Sequence, residues 1–352
     1  MKTSKNKVEI FEINNLYGCR DSITMKTIIE PQYDSEPIFK NGIAIVDSED
    51  KYGLIDHFGK ILVPVKYDDI RGFQGEYTRV CFEDKWGIIN IYGEEIISPK
   101  YDWIGEDNGI SIAIFSEGIT KLKENSIYTY DGPPKYGFAN QDGDIIVKPR
   151  YSFAHSFKEN LALIGRKNKY GYIGKLGQIV IPIQYDDAED FSEGLAAVKK
   201  YGKWGYIDQI GNIIIPFTYS SVFSFSNGLA RIYKKGKYGF INRKGKEIIP
   251  PIYDEAYDFS EGLAAVRKYN KWGYINRNGR VIIPFSEGIK YDFHEGLARI
   301  NKNHKEGFID SMGEEIIPAI YDSVCDFRQG QTELLSLGDT WISEKIPNPL
   351  RK

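Results

Sequence analysis

Short runs of alternating apolar and polar residues recur along the chain, and glycine, proline, asparagine or aspartate bounds each run. The segment Gly194–Tyr219 shows the pattern well. Leu195–Lys199 is a short β-forming run, Trp204–Asp208 alternates large and small side chains, and Ile213–Ile215 is β-branched throughout. Because strands favour β-branched and aromatic residues and alternate their faces, the segment predicts three antiparallel strands.

The connections between these strands carry turn residues. A Tyr-Gly pair joins the first two strands, and Asp208 and Gly211 are the first and fourth residues of the next connection, which suits a type I turn. Pro216 predicts the end of the third strand, since proline cannot donate to a strand ladder. The Tyr-Asp and phenylalanine positions that follow form either a fourth short strand or a loop.

An aromatic-glycine dipeptide shows that this pattern is a repeat. It returns every 34 residues, with one longer step of 50 residues between Trp86 and Tyr136. The copies are Tyr52-Gly53, Trp86-Gly87, Tyr136-Gly137, Tyr170-Gly171, Trp204-Gly205, Tyr238-Gly239 and Trp272-Gly273, and Glu306-Gly307 continues the series. We predict a single array over residues 1–352, with about nine repeats, a degenerate first repeat at 1–40, an insertion at about 104–134 and a C-terminal cap at about 332–352.

A second period of 68 residues is visible. Gly194 and Gly262 open GLAAV segments, whereas Gly228 and Gly296 open GLARI segments. Alternate repeats either face different neighbours or record a recent duplication, and the sequence leaves both interpretations open.

We assign the ring of each aromatic-glycine dipeptide to the core. One three-stranded meander buries too little surface to fold alone, so neighbouring copies must stack. The ring would supply the buried area, and its glycine would let the next repeat approach closely. The alternative is a row of exposed rings that bind sugars or bases.

A lysine precedes the dipeptide in every regular copy, and a row of lysines would repel itself unless acidic residues lay between them. We expect the Tyr-Asp aspartates and Glu193, Glu261 and Glu295 to do so. A solvated face is favoured over an anion-binding stripe. The lysines are Lys51, Lys85, Lys135, Lys169, Lys203, Lys237, Lys271 and Lys305.

The charge and cysteine content narrow the function classes. The chain has 46 Lys plus Arg against 49 Asp plus Glu, so it offers no basic excess for nucleic acid. No apolar run approaches the roughly 18 residues of a membrane span. Cys19, Cys81 and Cys325 are far apart and odd in number, and no secretory leader is visible, so we expect a cytoplasmic protein.

No catalytic pattern is visible either. The four histidines, His57, His155, His294 and His304, lack metal-ligand spacing, and no serine elbow or phosphate loop is present. We predict no enzymatic activity, no cofactor and no metal.

The string GKWGYID at Gly202–Asp208, the IIP that follows it, and the FSEGLAAV segments after Tyr-Asp resemble the WG (KWG) repeat family of bacterial proteins over nearly the whole chain. The resemblance implies a β-rich tandem-repeat protein without established catalytic residues, whose copy number varies. A variable number of 34-residue units favours an all-β fold of antiparallel β-meander repeats stacked as an open β-solenoid or superhelix. The alternative is a closed array like a β-propeller, whose blades are usually about 40–50 residues long.

We therefore predict a non-catalytic scaffold for protein–protein interaction, of which an immunity protein or a regulator would be a special case. Trp103, Phe115, Tyr128 and Tyr130 lie in or beside the insertion, where hydrophobic residues could anchor a partner. They could equally pack a local hairpin. The alternative function is a glycan or cell-envelope binding module.

Overall fold

The computed structural model describes residues 8–105, 113–125, 133–327, 331–337 and 340–350. Within these residues the chain forms 37 β-strands in ten small antiparallel sheets. No helix in these ranges is both long enough and apolar enough to cross a membrane.

The strands are numbered in chain order, and each sheet follows the previous one along the chain. Sheets 1 and 2 are β1 (Val8–Ile13), β2 (Leu16–Asp21), β3 (Thr27–Tyr33) and β4 (Ile43–Ser48), β5 (Lys51–Asp56), β6 (Ile61–Tyr67). Sheets 3 and 4 are β7 (Asp69–Ile70), β8 (Tyr77–Phe82), β9 (Lys85–Asn90), β10 (Glu95–Tyr101) and β11 (Trp103–Ile104), β12 (Ile119–Glu124), β13 (Lys135–Asn140), β14 (Ile145–Tyr151). Sheets 5 and 6 are β15 (Phe153–Ala154), β16 (Leu161–Arg166), β17 (Lys169–Gly174), β18 (Ile179–Tyr185) and β19 (Asp187–Ala188), β20 (Leu195–Lys200), β21 (Lys203–Asp208), β22 (Ile213–Tyr219).

The remaining four sheets continue the series. Sheets 7 and 8 are β23 (Ser221–Val222), β24 (Leu229–Lys234), β25 (Lys237–Asn242), β26 (Glu247–Tyr253) and β27 (Glu255–Ala256), β28 (Leu263–Lys268), β29 (Lys271–Asn276), β30 (Val281–Ser286). Sheets 9 and 10 are β31 (Ile289–His294), β32 (Leu297–Lys302), β33 (Lys305–Asp310), β34 (Glu315–Tyr321) and β35 (Ser323–Val324), β36 (Gln331–Leu337), β37 (Thr340–Pro347).

The chain divides into two compact units. The N-terminal unit comprises residues 1–167 and 173–179, and the C-terminal unit comprises residues 168–172 and 180–352. The N-terminal unit contains sheets 1 to 4, the C-terminal unit contains sheets 6 to 10, and the division falls within sheet 5.

The segment after the Tyr-Asp pair, which the sequence left open, contains a short strand after Tyr67, Tyr101, Tyr185, Tyr253 and Tyr321, but not after Tyr33. Asp187 and Ala188 pair with Lys199 and Val198 of β20. The segment therefore adds a fourth strand at the edge of the following sheet. The predicted turn between β21 and β22 is confirmed, because the Ile210 and Asn212 amides donate to Asp208 Oδ1.

The third long strand does not end at its proline, so that prediction is wrong. Strand β22 runs through Pro216 to Tyr219, which pairs with Trp204. The register shifts between this pair and the pair Tyr206 and Ile215. Because β22 is the outermost strand of its sheet, no neighbour needs the amide hydrogen that Pro216 lacks.

The core of each unit lies in layers between successive sheets. One layer joins sheets 6 and 7 through Leu195, Ala197, Tyr206, Ile215, Tyr219, Val222, Phe225, Ala230, Ile232 and Ile241. Equivalent layers join the other neighbouring sheets of the C-terminal unit and sheets 1 to 4 of the N-terminal unit. Within each unit the copies therefore share an interior, as predicted from stacking.

The prediction that the ring before the glycine lies in the core holds in part: Trp272 is buried, and Trp204 and Tyr238 pack against core layers, but the most deeply buried ring is a different one. Trp204 is half-buried at the hairpin end of β21, whereas Tyr206, in the middle of the strand, is fully buried. The Tyr206 ring lies 4.9 Å from that of Phe225, which lies between β23 and β24 of the next sheet. The same pairing recurs at 4.8–5.2 Å for Phe138 with Phe157, Tyr172 with Phe191, Phe240 with Phe259, Tyr274 with Phe293 and Phe308 with Phe327.

The glycine of the dipeptide also has a role different from the predicted one. A Cβ atom at Gly205 would lie 2.5 Å from the Ile215 carbonyl oxygen of its own sheet, where the register shifts. The glycine that approaches another sheet is the turn glycine. A Cβ atom at Gly143 would lie 2.0 Å from the Ile96 carbonyl oxygen of the preceding sheet.

Five of the eight lysines before the dipeptide pair with the Tyr-Asp aspartates, as predicted; for Lys135, Lys203 and Lys271 the aspartate position holds Ser152, Ser220 and Gly288. Lys85 Nζ lies 2.8 Å from Asp102 Oδ1. Lys51, Lys169, Lys237 and Lys305 pair in the same way with Asp68, Asp186, Asp254 and Asp322. The prediction for the glutamates is wrong where the structure shows their contacts, because Glu193 and Glu261 accept hydrogen bonds from backbone amides of the next sheet's loop.

Candidate functional site

In sheets 2 to 9 a loop precedes the first strand of the long hairpin, that is β4, β8, β12, β16, β20, β24, β28 or β32; we call it the clamp loop. The clamp loop of sheet 6 ends in Phe191-Ser192-Glu193-Gly194. Ser192 Oγ donates to the Phe225 carbonyl oxygen at 2.7 Å, and Glu193 Oε2 accepts from the Gly228 amide at 2.8 Å. Ser260 Oγ donates likewise to the Phe293 carbonyl oxygen at 2.6 Å. These bonds tie the clamp loop of sheet 6 to that of sheet 7, and the clamp loop of sheet 8 to Phe293 of sheet 9.

The clamp loop of sheet 2 lacks the residues that make these bonds. Lys40 and Asn41 occupy the positions of Ser192 and Glu193, and Ile38 replaces the aspartate that precedes the phenylalanine in sheet 6. Lysine has no hydroxyl, and asparagine has a shorter side chain than glutamate and no charge. The clamp loops of sheets 2 and 3 are therefore not joined by the serine and glutamate hydrogen bonds described for sheet 6.

The buried ring pair is missing at the same place. Leu54 occupies the position that Tyr206 holds in sheet 6, and its partner Phe73 is only half-buried. The aliphatic side chain of Leu54 occupies less space than a tyrosine ring. Loss of the clamp and loss of the ring pair thus coincide in the N-terminal unit.

A cavity of about 500 Å³ opens at this point. Ile43, Ile45, Phe73 and Ile91 give it an apolar lining, and Ile38 stands beside it with 69% of its surface exposed. Its polar lining comes from Glu36, Lys40, Asn41 and Glu76. Gly72 also lines the cavity, and a Cβ atom there would meet nothing within 4 Å. The result is an open apolar recess with charges of both signs around it.

A second cavity of about 290 Å³ adjoins the first and shares Gly75 and Glu76 with it. Gln74 stands where the clamp serine would be, and its Oε1 accepts a hydrogen bond from the Ile114 amide at 2.9 Å. Phe115 lines this second cavity and packs against Tyr77, with ring centroids 5.0 Å apart. The two cavities therefore lie side by side in the N-terminal unit.

The residues predicted as partner anchors are placed in different surroundings. Trp103 is half-buried in β11, where its ring lies 5.3 Å from that of Trp86 and 4.9 Å from the Arg79 guanidinium. Phe115 lines the second cavity. Tyr128 and Tyr130 lie outside the described residues. The structure also places strand β12 within the range predicted as the insertion.

Two features of the described part of the chain bear on reactive groups: metal-ligating clusters and the buried thiols. That part of the chain contains no cluster of three or more histidine, cysteine, aspartate or glutamate side chains that could hold a metal ion. Burial raises the pKa of the Cys19 thiol to about 11 and also raises the pKa of Cys81. Neither thiol is therefore poised as a thiolate nucleophile at neutral pH.

Sequence reasoning missed the cavity, although the sequence carries its signal. The signal is a local departure from the repeat: Ile38, Lys40 and Asn41 replace the aspartate, serine and glutamate of the regular clamp loop. Without knowledge of the clamp bonds, these differences look like ordinary surface variation.

Comparisons with solved structures give only distant likenesses. They include a eukaryotic initiation factor (13% identity, 85% of this chain and 91% of that chain, TM-score 0.46) and Hsv2p of Kluyveromyces lactis (8%, 81% and 100%, 0.36). A third is the dihydro-heme d1 dehydrogenase NirN (11%, 91% and 74%, 0.34). With TM-scores below 0.5, these likenesses support no argument about this chain. No curated protein matches it.

The family comparison gives a clear result. The WG containing repeat matches nine successive segments, at residues 17–52, 52–86, 86–125, 136–170, 170–204, 204–238, 238–272, 272–305 and 307–330. These segments cover most of the chain, and most of their boundaries fall on the aromatic-glycine dipeptides. The chain therefore belongs to the WG containing repeat family.

Proposed function

We propose that the chain is a non-catalytic scaffold that binds a protein partner, and that the N-terminal cavity receives an apolar side chain of this partner. The observation that carries the proposal is Ile38, a large apolar side chain left exposed beside an apolar recess of about 500 Å³. Exposed apolar surface with a polar rim is typical of interaction sites, and an anchor side chain in a pocket often dominates binding energy.

The lining of the cavity supports a polypeptide ligand. Glu36, Lys40, Asn41 and Glu76 provide donors, acceptors and both signs of charge. A peptide carries apolar side chains, amides and charges close together and can satisfy all of these groups. A sugar platform would instead use flat exposed rings, and Phe73, the aromatic residue of the lining, is half-buried.

We further propose that the repeats form an open array. Nine units of 34 residues exceed the four to eight blades of most propellers and fall short of their usual length of about 40–50 residues per blade. Small-angle X-ray scattering should give the elongated distance distribution of an open particle. A compact, ring-like distribution would refute this part of the proposal.

The binding proposal is tested by filling the cavity without disturbing the fold. Gly72→Leu places a side chain where a Cβ atom has no neighbour, and Ile38→Asp restores the acid found in regular clamp loops. Ser224→Leu is the matched control, because Ser224 is exposed at the position equivalent to Gly72 in sheet 7. Purified variants would be compared in affinity capture from host lysate with quantitative mass spectrometry.

We expect the same protein to be recovered with the unaltered chain and with Ser224→Leu, and lost with Gly72→Leu and Ile38→Asp. Circular dichroism would confirm that all variants are folded. Equal recovery with all four proteins would exclude the cavity as the binding site. Selective binding to a glycan array or to purified peptidoglycan, with no protein captured, would favour the glycan function instead.

A further inference from the structure

The hairpin tips of the C-terminal unit share a basic character. In sheets 6 to 9 a two-residue turn joins the two six-residue strands that carry the GLA and WG motifs, and a lysine flanks the turn on each side. The flanking pairs are Lys200 and Lys203, Lys234 and Lys237, Lys268 and Lys271, and Lys302 and Lys305. The corresponding turns of sheets 2 and 3 in the N-terminal unit are Glu49-Asp50 and Glu83-Asp84. A net charge of −3 for the whole chain hides this separation of charge.

Two of these tips expose a tyrosine in a strained conformation. Tyr201 and Tyr269 both have a φ of 53° and are 86% and 83% exposed. This left-handed conformation suits glycine or asparagine and is unfavourable for a bulky side chain. Neither ring gains burial in return. Because Glu49, Glu83 and Lys235 have φ values of 49–51° at the same turn position, the turn type sets this conformation, and the exposed ring is what distinguishes these two tips.

Each tyrosine is accompanied by a cation on its own strand. Lys200 Nζ lies 5.5 Å from the centre of the Tyr201 ring, and Lys268 Nζ lies 5.2 Å from that of Tyr269. The two tips are 68 residues apart and belong to alternate sheets of one unit. The same aromatic and basic combination is thus presented twice.

Three lysines at these tips are available for a ligand. Lys203 would pair with an aspartate at position 220, and Lys271 with one at position 288, but Ser220 and Gly288 stand there. Lys235, at the tip of sheet 7, has a glycine after it and no acid opposite. Within the part of the chain that the structure describes, Lys203, Lys235 and Lys271 form no ion pair.

We propose that these tips bind an acidic segment of the polypeptide partner, with its carboxylates on Lys203, Lys235 and Lys271 and its apolar groups on Tyr201 and Tyr269. This inference rests on the proposed protein-binding function and names the chemistry of the partner. It adds a second contact surface to the N-terminal cavity.

The pattern of charge favours a polypeptide over a nucleic acid. Asp254 and Asp322 lie close to the tips, where they pair with Lys237 and Lys305, and Asp254 Oδ2 also accepts a hydrogen bond from the Tyr269 amide. A phosphodiester chain has a charge at every nucleotide and would meet these carboxylates as well as the free lysines. A peptide can space its carboxylates to match isolated cations.

The test uses the full chain and a labelled peptide of alternating glutamate and leucine, followed by fluorescence anisotropy. A peptide with glutamine in place of glutamate and a single-stranded oligothymidylate are the comparison ligands. We expect the glutamate peptide to bind and the two comparison ligands not to bind. The affinity for the glutamate peptide should fall as salt is added. The triple variant K203A/K235A/K271A should weaken binding about tenfold, at roughly 0.5 kcal/mol for each exposed charge.

Two variants separate binding from folding. The triple variant K148A/K244A/K246A removes the same charge from exposed lysines away from these tips and should leave binding unchanged. Tyr201→Asn combined with Tyr269→Asn relieves the backbone strain, so its unfolding temperature should stay equal or rise while peptide binding weakens.

Several results would overturn the proposal. They are absence of binding to the glutamate peptide, equal loss in the tip and control triple variants, full binding by the tyrosine double variant, or a preference for the oligothymidylate. The outcome is separable from the cavity proposal, because partner capture that depends on Gly72 and Ile38 would persist if only the acidic contact were wrong.

Discussion

The Tyr206 hydroxyl donates a 2.7 Å hydrogen bond to the carbonyl oxygen of Phe223, just after the short strand of the next sheet. Tyr172 and Tyr274 make the same bond to the carbonyl oxygens of Glu189 and Tyr291. In sheet 7, between the sheets that contain Tyr206 and Tyr274, the equivalent position holds Phe240, which has no hydroxyl group. There Arg231 donates instead, to the carbonyl oxygen of Ala256.

These donors explain the 68-residue period that the sequence left open. Ala197 lies directly opposite Tyr206 on the neighbouring strand, and Arg231 lies directly opposite Phe240. The next two sheets repeat the alternation with Ala265 opposite Tyr274 and Arg299 opposite Phe308. Each cross-strand pair therefore supplies one donor to the next sheet, either from a tyrosine beside alanine or from an arginine beside phenylalanine.

The first prediction concerns this inter-sheet bond. Tyr206→Phe removes the hydroxyl and leaves the Phe223 carbonyl oxygen without this donor, so the free energy of unfolding should fall by about 1 kcal/mol. Urea denaturation followed by tryptophan fluorescence measures the change. Tyr201→Phe is the control, because its hydroxyl is on an exposed tip and its loss should have no effect. Equal stability of both variants would show that the bond contributes nothing.

The second prediction compares two equivalent phenylalanines. Phe225 is buried against the Tyr206 ring, whereas Phe73 is half-buried beside Leu54 and lines the cavity. Phe225→Ala should reduce the free energy of unfolding by about 3–5 kcal/mol, since it empties a packed site. Phe73→Ala should cost clearly less, because part of its surface already faces the cavity. Similar losses in both variants would mean that the N-terminal unit is packed as tightly as the C-terminal unit.

The sequence predicted those parts of the fold that depend on neighbouring residues. The turn at Asp208 depends on a side chain that bonds amides two and four residues away, so its signal is local. The repeat length and the antiparallel strands follow from similar local signals. The lysine and aspartate pairs, such as Lys85 with Asp102, could be predicted because repetition placed them at constant spacing.

The sequence did not predict features that depend on how sheets meet. Trp204 and Tyr206 lie on the same face of β21, and only the position of the next sheet decides that Tyr206 is the buried ring. Pro216 is tolerated because β22 is an edge strand, which the sequence does not reveal. The cavity lies where Lys40 and Asn41 make no hydrogen bonds to the next clamp loop. A missing bond can be recognised in the sequence only after the bonds of the regular clamp loops are known.

The third prediction concerns pH and Asp292 in sheet 9. Its Oδ1 is buried without a hydrogen-bond partner, and burial raises the pKa of this carboxyl, as does Asp258. Asp326 acts in the same direction, whereas His294 and Arg231 oppose the shift. Because the pKa of Asp292 is raised in the folded state, this group contributes its full stabilisation below the ordinary aspartate pKa of about 3.9. The stabilisation is lost as the pH rises through the raised pKa.

Asp292→Asn should therefore increase the free energy of unfolding at pH 7, by about 1 kcal/mol for a partly buried charge without a bond. The gain should disappear as the pH falls towards 4. Asp186→Asn is the matched control with the opposite sign, because the hydrogen bond from Lys169 lowers the pKa of Asp186. That variant should lose stability at pH 7 and approach the unaltered chain in acid. A pH-independent effect at Asp292 would exclude the electrostatic explanation.

The fourth prediction separates two glycines on either side of Trp204. A Cβ atom at Gly205 would lie 2.5 Å from the Ile215 carbonyl oxygen, which is backbone and cannot move aside without breaking the register shift of β22. Gly205→Ala should therefore reduce the free energy of unfolding by roughly 2 kcal/mol or more, as overpacked sites do. Gly202 has a φ of 75° in the open hairpin tip, where a Cβ atom meets nothing within 4 Å. Gly202→Ala should reduce the free energy of unfolding only by the conformational penalty of about 1 kcal/mol. Comparison of the two losses, measured by urea denaturation, tests whether the glycine after the aromatic ring is required by its own sheet.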